Sequence, residues 1–207
     1  MNKNRLNETN INTKGEKMTI VEYKDRYNIT VEFECGYRTK TTYPNFKKGN
    51  VKNLYYRSVY GIGYIGEGNF KACKNKERNN YYGIWSDMLR RCYSEKYRDK
   101  KPSYVGCTVC EEWHNFQNFA KWYEENYYEF EYEIMQLDKD ILVKGNRVYS
   151  PKTCLILPNS INSIFKCDYE ADVKLLIEKL DTYYKDIPET VKSKLNKALI
   201  NRLTYKQ

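Results

Sequence analysis

Two cysteines and a histidine in the middle of the chain have a spacing that suggests a zinc site. Cys107 and Cys110 are separated by two residues, and His114 follows Cys110 by four. Thiolate and imidazole groups bind Zn²⁺ when four ligands form a tetrahedron, so Cys92 or Cys154 would have to supply the fourth. A single Cys-x-x-Cys without a second ligand pair more commonly consists of small buried residues. We therefore do not expect zinc.

His114 is the only histidine in the chain, so any imidazole base must come from this position. In a helix over 111–127 it would lie beside Gln117 and Lys121, on the polar side of an aromatic stripe. This position predicts a surface histidine. The alternative is a general base that reaches an active site formed by other elements.

A glycine-rich segment over 61–68 reads Gly-Ile-Gly-Tyr-Ile-Gly-Glu-Gly. In dinucleotide-binding folds, glycines between a strand and a helix allow the backbone to approach a phosphate closely. The segment lacks this strand-turn-helix context and the spacing of that motif. We interpret it as a series of turns and not as a nucleotide site.

The composition predicts a folded protein and is compatible with a polyanionic partner. The 207 residues carry a net charge of +9, and 22 of them are tyrosines. Cations displace counterions from phosphates and aromatic rings stack on bases, so nucleic acid suits both features. A soluble basic domain without such a partner is the alternative. The abundance of aromatic residues argues against long disordered segments.

Cysteine content and hydropathy indicate the compartment. No apolar run is long enough for a membrane span, and the first residues lack the apolar region of a secretory signal. The 7 cysteines are an odd number in a chain without an export signal, so we expect reduced thiols. These features predict a cytoplasmic protein with no membrane partner.

Charge is distributed unevenly along the chain. Residues 111–140 contain 2 basic and 9 acidic side chains, whereas the segments on both sides have a basic excess. A nucleic acid would therefore contact the N-terminal half and the region after residue 140. The acidic segment would face away from phosphate or form a solvated acidic surface.

Short β-branched and aromatic runs predict a small N-terminal β module over 17–69. The runs at 18–23, 27–33 and 37–43 are separated by polar turn residues, which is typical of a three-stranded meander. The polar residues 1–16 precede the module, and their composition and terminal position predict a frayed segment.

Helical spacing of apolar residues predicts the remaining elements, after an exposed linker over 70–81. The predicted helices cover 82–97, 111–127, 171–184 and 189–203. Residues 137–165 read as strand, loop, strand and short helix. The fold class is therefore α+β, with a β meander module, a central domain over 82–166 and a helical C-terminal tail over 167–207.

Five motifs in the central domain form a recognisable set with Asn162. They are Trp85-x2-Met-Leu-x-Arg-Cys-Tyr93, Tyr104-x2-Cys-Thr-Val-Cys-Glu-Glu-Trp113, Asn115-Phe-x2-Phe119, Leu137-Asp-Lys-Asp140 and Tyr149-Ser-Pro-x-Thr-Cys154. In these motifs the chain resembles the phage-type HNH endonucleases, which are built on the ββα-metal fold. Residues 17–66 also resemble an accessory N-terminal module of such phage proteins.

The resemblance implies a site for one divalent cation, Mg²⁺ or Mn²⁺, held against the scissile phosphate by Asp138 and Asn162. The general base of the family, a histidine, falls on Lys139. The asparagine that orients this base falls on Thr153. Two of the four positions therefore depart from the family pattern.

The departure at Lys139 affects the expected chemistry. A lysine side chain has an unperturbed pKa of about 10.4 and needs a decrease of about 3 units to act as a base at neutral pH. Neighbouring carboxylates at Asp138 and Asp140 stabilise the ammonium form instead. A charged lysine is a good phosphate ligand or electrostatic aid, so we expect a site that binds metal and DNA but cleaves slowly or not at all. His114 is the only possible substitute base of the imidazole type.

Nine basic residues are candidates for contacts with nucleic acid. They are Arg90, Arg91, Lys144, Arg147, Lys152, Arg38, Lys40, Lys47 and Lys48. The family resemblance implies that the loop 143–149 meets backbone phosphate, while the N-terminal module supplies a second contact. The alternative is a solvated basic surface.

The leading function is therefore a DNA-binding, metal-dependent phosphodiesterase of HNH type that acts in a host cytoplasm. The alternative is a non-enzymatic phage protein in which an HNH-like scaffold binds DNA or a host protein, for example as an inhibitor of a host defence system. Lys139 and Thr153 favour the second hypothesis, and Asp138 and Asn162 favour the first. The sequence does not define the oligomeric state.

Overall fold

Alternating apolar residues near the N-terminus form the centre of an antiparallel sheet. Its four strands pair in chain order and are β1 (Thr9–Ile11), β2 (Lys17–Asp25), β3 (Asn28–Phe33) and β4 (Arg38–Thr41). Successive side chains of a strand point to opposite faces, so Met18 and Ile20 of β2 are buried together with Val31 of β3. Helix α1 (Tyr43–Lys47) adds Phe46 to the same cluster.

The computed structural model describes residues 4–74, 77–78, 80–130, 133–165, 182 and 185–204. The chain divides into two compact units, Met1–Tyr56 and Arg57–Gln207. The first unit therefore ends before the end of the predicted β module over 17–69. Each unit is described below by itself.

The predicted strand meander of the first unit is confirmed, and β1 adds a strand to it. β1 lies within 1–16, for which the composition predicts a frayed segment. Its backbone pairs with β2 in the register Thr9↔Thr19, and the Ile20 N–H donates to the Glu8 carbonyl at 2.9 Å. Polar side chains do not prevent this pairing, because the ladder is formed by backbone groups.

The second unit contains five helices in the described residues. They are α2 (Asn80–Tyr93), α3 (Glu95–Lys100), α4 (Phe116–Asn126), α5 (Asn159–Ile164) and α6 (Glu189–Thr204). The helix predicted over 82–97 is interrupted, because Ser94 has an extended backbone and begins α3. The helix predicted over 111–127 starts later, since Glu111–His114 is a 3-10 turn and the Asn115 side chain caps α4 by accepting from Gln117 N–H at 3.0 Å.

Six short strands complete the second unit. They are β5 (Cys73–Lys74), β6 (Glu77–Arg78), β7 (Thr108–Val109), β8 (Met135–Asp138), β9 (Val148–Tyr149) and β10 (Leu155–Pro158). β5 and β6 form a hairpin inside the segment 70–81, for which the sequence predicts a linker. β7 and β9 pair in parallel, and β8 and β10 pair antiparallel.

The aromatic stripes of α2 and α4 form the main core, as their helical spacing predicts. Trp85 of α2 and Phe116 and Phe119 of α4 are fully buried. Trp85 Nε1 donates to the carbonyl of Trp113 at 2.7 Å, so the polar end of the indole is satisfied inside the core. These packed rings fix α2 relative to α4.

The glycine-rich segment packs against the start of α4. Tyr64 N–H donates to the His114 carbonyl at 3.0 Å, and Phe116 N–H donates to the Tyr64 carbonyl at 2.9 Å. A Cβ at Gly66 would lie 2.1 Å from the Asn115 Oδ1 atom, so only glycine fits beside this helix cap. The segment therefore serves packing within the second unit.

The pair β8 and β10 with α5 follows the predicted order of strand, loop, strand and short helix over 137–165. Asp138 lies opposite Leu155 in the ladder. Leu157 and Ile161 pack in a second apolar cluster with residues of α6 such as Leu195. This packing anchors α5 directly after β10.

The predicted C-terminal helix over 189–203 is confirmed by α6. The helix predicted over 171–184 lies outside the described residues, apart from Thr182. Among the described helices, none is long and apolar enough to cross a membrane. The fold is thus mixed α+β, with a strand meander first and helices later.

Candidate functional site

Asp138 ends β8 and turns the chain with its own side chain. Its Oδ1 atom accepts hydrogen bonds from Asp140 N–H at 2.7 Å and Ile141 N–H at 2.8 Å. These are the two hydrogen bonds that Asp138 accepts within the described residues, so the Oδ2 atom is not committed to the turn. Burial raises the pKa of Asp138, while the two backbone donors oppose this effect.

Asn162 occupies the middle of α5 and is only 5% exposed. Its Nδ2 atom donates to Gln136 Oε1 at 2.5 Å, whereas its Oδ1 atom is buried and has no hydrogen-bond partner among the residues that the structure describes. Leaving a buried acceptor unpaired costs about 1–3 kcal/mol, so such atoms are rare in folded proteins. The unpaired oxygen is a vacant bonding position for a cation or a donor.

Asp138 and Asn162 line the same two cavities. The larger cavity has a volume of about 440 Å³ and also contacts Gln136 and Arg91. The smaller one, of about 290 Å³, extends along the loop between β8 and β9. The two residues that the resemblance assigns to a metal ion are thus brought together, although they lie far apart in the sequence.

Lys139 is 7% exposed and is held in an ion pair. Its Nζ atom lies 2.6 and 2.7 Å from the carboxylate oxygens of Asp140 and donates to the Asn146 carbonyl at 3.0 Å. All these contacts use the ammonium group as a donor. This arrangement does not resemble that of a general base, which must accept a proton.

Thr153 lies in the turn before β10 and contacts other residues. Its hydroxyl donates to the Val148 carbonyl at 2.8 Å and lies 2.8 Å from Ser150 Oγ. Thr153 lines neither of the two cavities. No hydrogen bond joins it to Lys139 in the part of the chain that the structure describes.

Asn146, and not Thr153, is hydrogen-bonded to Lys139 in the described part of the chain. Its Nδ2 atom donates to the carbonyls of Lys139 and Val148, both at 2.8 Å, and its own carbonyl accepts from Lys139. The sequence signal for this role was weak. It consisted of an asparagine directly after Gly145, whose φ of 76° allows the loop to reverse.

Two arginines of α2 lie near the larger cavity. Arg91 lines it; its side chain forms a hydrogen bond with Tyr149, while its Nε atom is buried with no hydrogen-bond partner within the described ranges. Arg90 instead forms an ion pair with Asp87 at 3.3 Å and lies over the ring of Tyr97. Arg91 is therefore the candidate that contacts the cavity, and Arg90 mainly stabilises the surface of α2.

Three further candidates for contacts with nucleic acid follow β8 in the chain. Lys144 and Arg147 are exposed and line the smaller cavity. Arg147 Nη1 also donates to the Val105 carbonyl. Lys152 is exposed in the turn before β10 and lines neither cavity. Positive charge thus surrounds Asp138 from α2 and from the loop.

Four predicted nucleic-acid contacts belong to the first unit. Arg38 pairs with Glu32 at 3.3 Å, and Lys47 pairs with Glu8 at 3.4 Å. The two others, Lys40 and Lys48, are exposed. Half of these cations therefore already have a carboxylate partner within the first unit.

His114 differs from its predicted surface position. It ends the 3-10 turn, is half-buried, and its Nε2 atom lies 3.1 Å from the Val109 carbonyl. Burial lowers the pKa of His114. Gln117, predicted beside it on a polar face, is buried and donates to the Phe70 carbonyl at 3.0 Å.

The cysteines near His114 are mostly core residues. Cys92, Cys107 and Cys154 are buried, and Cys110 is partly buried. In the described ranges, no group of three or more His, Cys, Asp or Glu side chains is arranged to hold a metal ion. Asp87 and Asp140 also line the larger cavity, but their carboxylates are paired with Arg90 and Lys139, so the candidate ligands there are the Asp138 carboxylate and the Asn162 amide.

Comparisons with protein-family models, curated proteins and solved structures found no match. The arguments for a function therefore come from the described side chains and from the sequence motifs.

Proposed function

We propose that the second unit is an HNH-like DNA-binding domain that uses one divalent cation, Mg²⁺ or Mn²⁺, and cleaves phosphodiester bonds slowly. Asp138 and Asn162 would hold the cation. The observation that carries this proposal is that Asn162, whose buried Oδ1 atom has no hydrogen-bond partner in the described part of the chain, lines the same cavities as Asp138. A bound cation would satisfy this oxygen.

The available donor atoms suit a hard cation. Mg²⁺ and Mn²⁺ prefer carboxylate and amide oxygens, and Mg²⁺ retains several water ligands beside one or two from the protein. The turn formed by Asp138 fixes its carboxylate through Oδ1 and leaves Oδ2 for a ligand. When bound, the cation would supply Lewis-acid polarisation of a phosphoryl oxygen.

Basic side chains around the cavities support a phosphate as the group that is held. Arg91 lines the larger cavity, while Lys144 and Arg147 line the smaller. Guanidinium and ammonium groups recognise phosphate oxygens through charge-assisted hydrogen bonds. A DNA backbone at this site would meet positive charge on both sides of Asp138.

The environment of Lys139 supports slow cleavage. Its ammonium group is bound to Asp140 and to the Asn146 carbonyl, and no histidine lines either cavity within the described residues. A water molecule at this site would therefore lack the histidine base that the family uses to remove its proton. Lys139 stabilises the loop that carries Asn146 and adds positive charge to the site.

A second candidate is a binding protein without nuclease activity. The ion pair of Lys139 and the position of Thr153 away from the cavities favour it, because both residues occupy positions that are catalytic in the family. In this case the same cation and basic residues would bind DNA or a host protein, as an inhibitor of a defence system would require.

Nicking of supercoiled plasmid in Mn²⁺ tests the proposal. We expect slow nicking by the wild type, none by Asp138→Asn, and faster nicking by Lys139→His, because histidine restores a base. Asp138→Asn retains an oxygen that can accept the turn hydrogen bonds. Asp25→Asn is a matched control, since Asp25 Oδ1 accepts from Tyr27 N–H at 2.7 Å in the first unit.

Three results separate the alternatives. If the wild type cleaves rapidly and Asp138→Asn abolishes this cleavage, the proposal that cleavage is slow is overturned. Mn²⁺-dependent DNA binding without nicking, even in Lys139→His, would favour the binding protein. DNA binding that is equal with Mn²⁺ and with chelator would contradict the metal site in both candidates.

A further inference from the structure

Gln136 is a polar residue of β8 that sequence patterns do not single out. It lies two residues before Asp138, so both side chains are on the same face of the strand. Gln136 lines the larger cavity together with Asp138 and Asn162. Its Oε1 atom accepts the 2.5 Å hydrogen bond from Asn162 Nδ2.

The orientation of the Asn162 amide decides whether it can bind a cation. An asparagine side chain has one end that accepts hydrogen bonds and one that donates them. With Nδ2 bound to Gln136, the oxygen is the end without a partner. Rotation of the amide by about 180° would replace this oxygen by an NH₂ group, which repels a cation.

We infer that Gln136 is a positioning residue, which holds the Asn162 amide with its oxygen available to the divalent cation. This inference rests on the proposed metal site and adds a residue to it. Side chains that orient metal ligands through hydrogen bonds typically change metal affinity by about 10-fold to 100-fold when they are replaced. Gln136 acts through Asn162 and is not itself a ligand.

A double-mutant cycle with Mn²⁺ tests this role. The full-length wild type, Gln136→Met, Asn162→Asp and the double variant are titrated with Mn²⁺ by calorimetry. Methionine is similar in length to glutamine but has no amide oxygen. A carboxylate at position 162 presents an oxygen in either orientation, so it removes the need for positioning.

We expect Gln136→Met to weaken Mn²⁺ binding by about 10-fold or more in the wild-type background. In the Asn162→Asp background, the same substitution should change the affinity by less than about 3-fold. A general structural defect would weaken binding equally in both backgrounds. Gln136→Glu keeps an acceptor for Asn162 Nδ2 and should bind Mn²⁺ at least as tightly as the wild type.

The outcomes distinguish this inference from the proposed function. Equal Mn²⁺ affinity of wild type and Gln136→Met would overturn the inference and leave the metal site intact. Equal losses in both backgrounds would also overturn it. A wild type that binds no Mn²⁺ would overturn both the inference and the proposed function. If Gln136→Met does not fold, Gln136→Glu provides the test. Weaker Mn²⁺ binding by folded Gln136→Glu than by the wild type would then overturn the inference.

Discussion

The two units of the chain contain buried asparagines that are used differently. Asn12 in the first unit and Asn162 in the second are each 5% exposed. Asn12 Oδ1 accepts from the N–H groups of Lys14 and Glu16, and its Nδ2 donates to Glu16 and to the Val51 carbonyl. Within the part of the chain that the structure describes, Asn162 has one side-chain hydrogen bond and an unpaired oxygen.

The same contrast extends to other buried polar atoms. Within the described residues, all buried side-chain atoms without a hydrogen bond lie in the second unit, and they are Arg90 Nε, Arg91 Nε, Trp113 Nε1, Tyr128 Oη and Asn162 Oδ1. Two of these residues line the larger cavity. Among the described residues, the first unit contains no buried side-chain N or O atom without a hydrogen bond, whereas Arg91 and Asn162 of the second unit each have one and line a cavity.

Thiol labelling should show the largest difference between exposed and core positions. Cys35 of the first unit is exposed, whereas burial raises the pKa of Cys92 in the second unit to about 12. Only the thiolate reacts, so at pH 8 we expect Cys92 to react at least about 1,000-fold more slowly than Cys35. Mass spectrometry after timed alkylation measures both rates. Comparable rates would show that the core of the second unit opens readily.

Replacement of the two asparagines by leucine should affect stability to different extents. Asn12→Leu removes four hydrogen bonds and leaves buried partners unpaired, so we expect the free energy of unfolding to fall by about 2 kcal/mol, about 30-fold in the equilibrium constant. Asn162→Leu removes an unpaired acceptor but also the single hydrogen bond to Gln136, so these two effects oppose each other and the free energy of unfolding should change by less than about 1 kcal/mol. Hydrogen exchange measures each unit separately.

The matched pair has a clear counter-result. If Asn162→Leu destabilised the second unit as strongly as Asn12→Leu destabilises the first, Asn162 would be a structural residue. The contrast between the units would then disappear. If Asn162→Leu lost Mn²⁺ binding but kept its stability, the contrast between the two units would become sharper.

A smaller effect is expected from pH. Burial lowers the pKa of His114, so the folded second unit binds fewer protons than the unfolded chain near pH 6. The free energy of unfolding of the second unit should therefore be highest above about pH 6.5, the pKa of His114 in the unfolded chain. It should fall as the pH decreases towards the lower pKa that His114 has in the folded unit. His114→Gln should reduce this dependence.

The first unit provides an internal reference for this titration, because the chain has a single histidine. Thermal unfolding followed by tryptophan fluorescence between pH 7 and pH 5 reports on the second unit, where all 3 tryptophans lie. We expect a shift of a few degrees at most. An identical pH dependence in His114→Gln would exclude His114 as its source.

Much of the fold was predictable from the sequence, while the boundaries of the elements were less so. Apolar residues alternate in β2 and β3 because one face of each strand is buried, and the aromatic stripes of α2 and α4 have the same cause. Burial of apolar surface is the dominant favourable contribution to folding. The break at Ser94 follows from the extended backbone of this residue, which has no side-chain cap hydrogen bond, and the late start of α4 depends on the Asn115 cap. β1 pairs through its backbone and has a polar sequence.

The candidate site was predictable only in part. Motifs identified Asp138 and Asn162, which do line common cavities. The contacts of Lys139 with Asn146 depend on how the loop folds, and no spacing rule predicts such a loop. Gln136 was missed because a single polar residue in a strand has no distinctive pattern.

The central claim is that Asp138 and Asn162 hold a divalent cation in the second unit. Anomalous diffraction from crystals soaked in MnCl₂ tests it directly. We predict a manganese peak within about 2.5 Å of an Asp138 carboxylate oxygen and of Asn162 Oδ1, and its absence from Asp138→Asn crystals. Well-ordered side chains at both residues with no manganese between them would contradict the account.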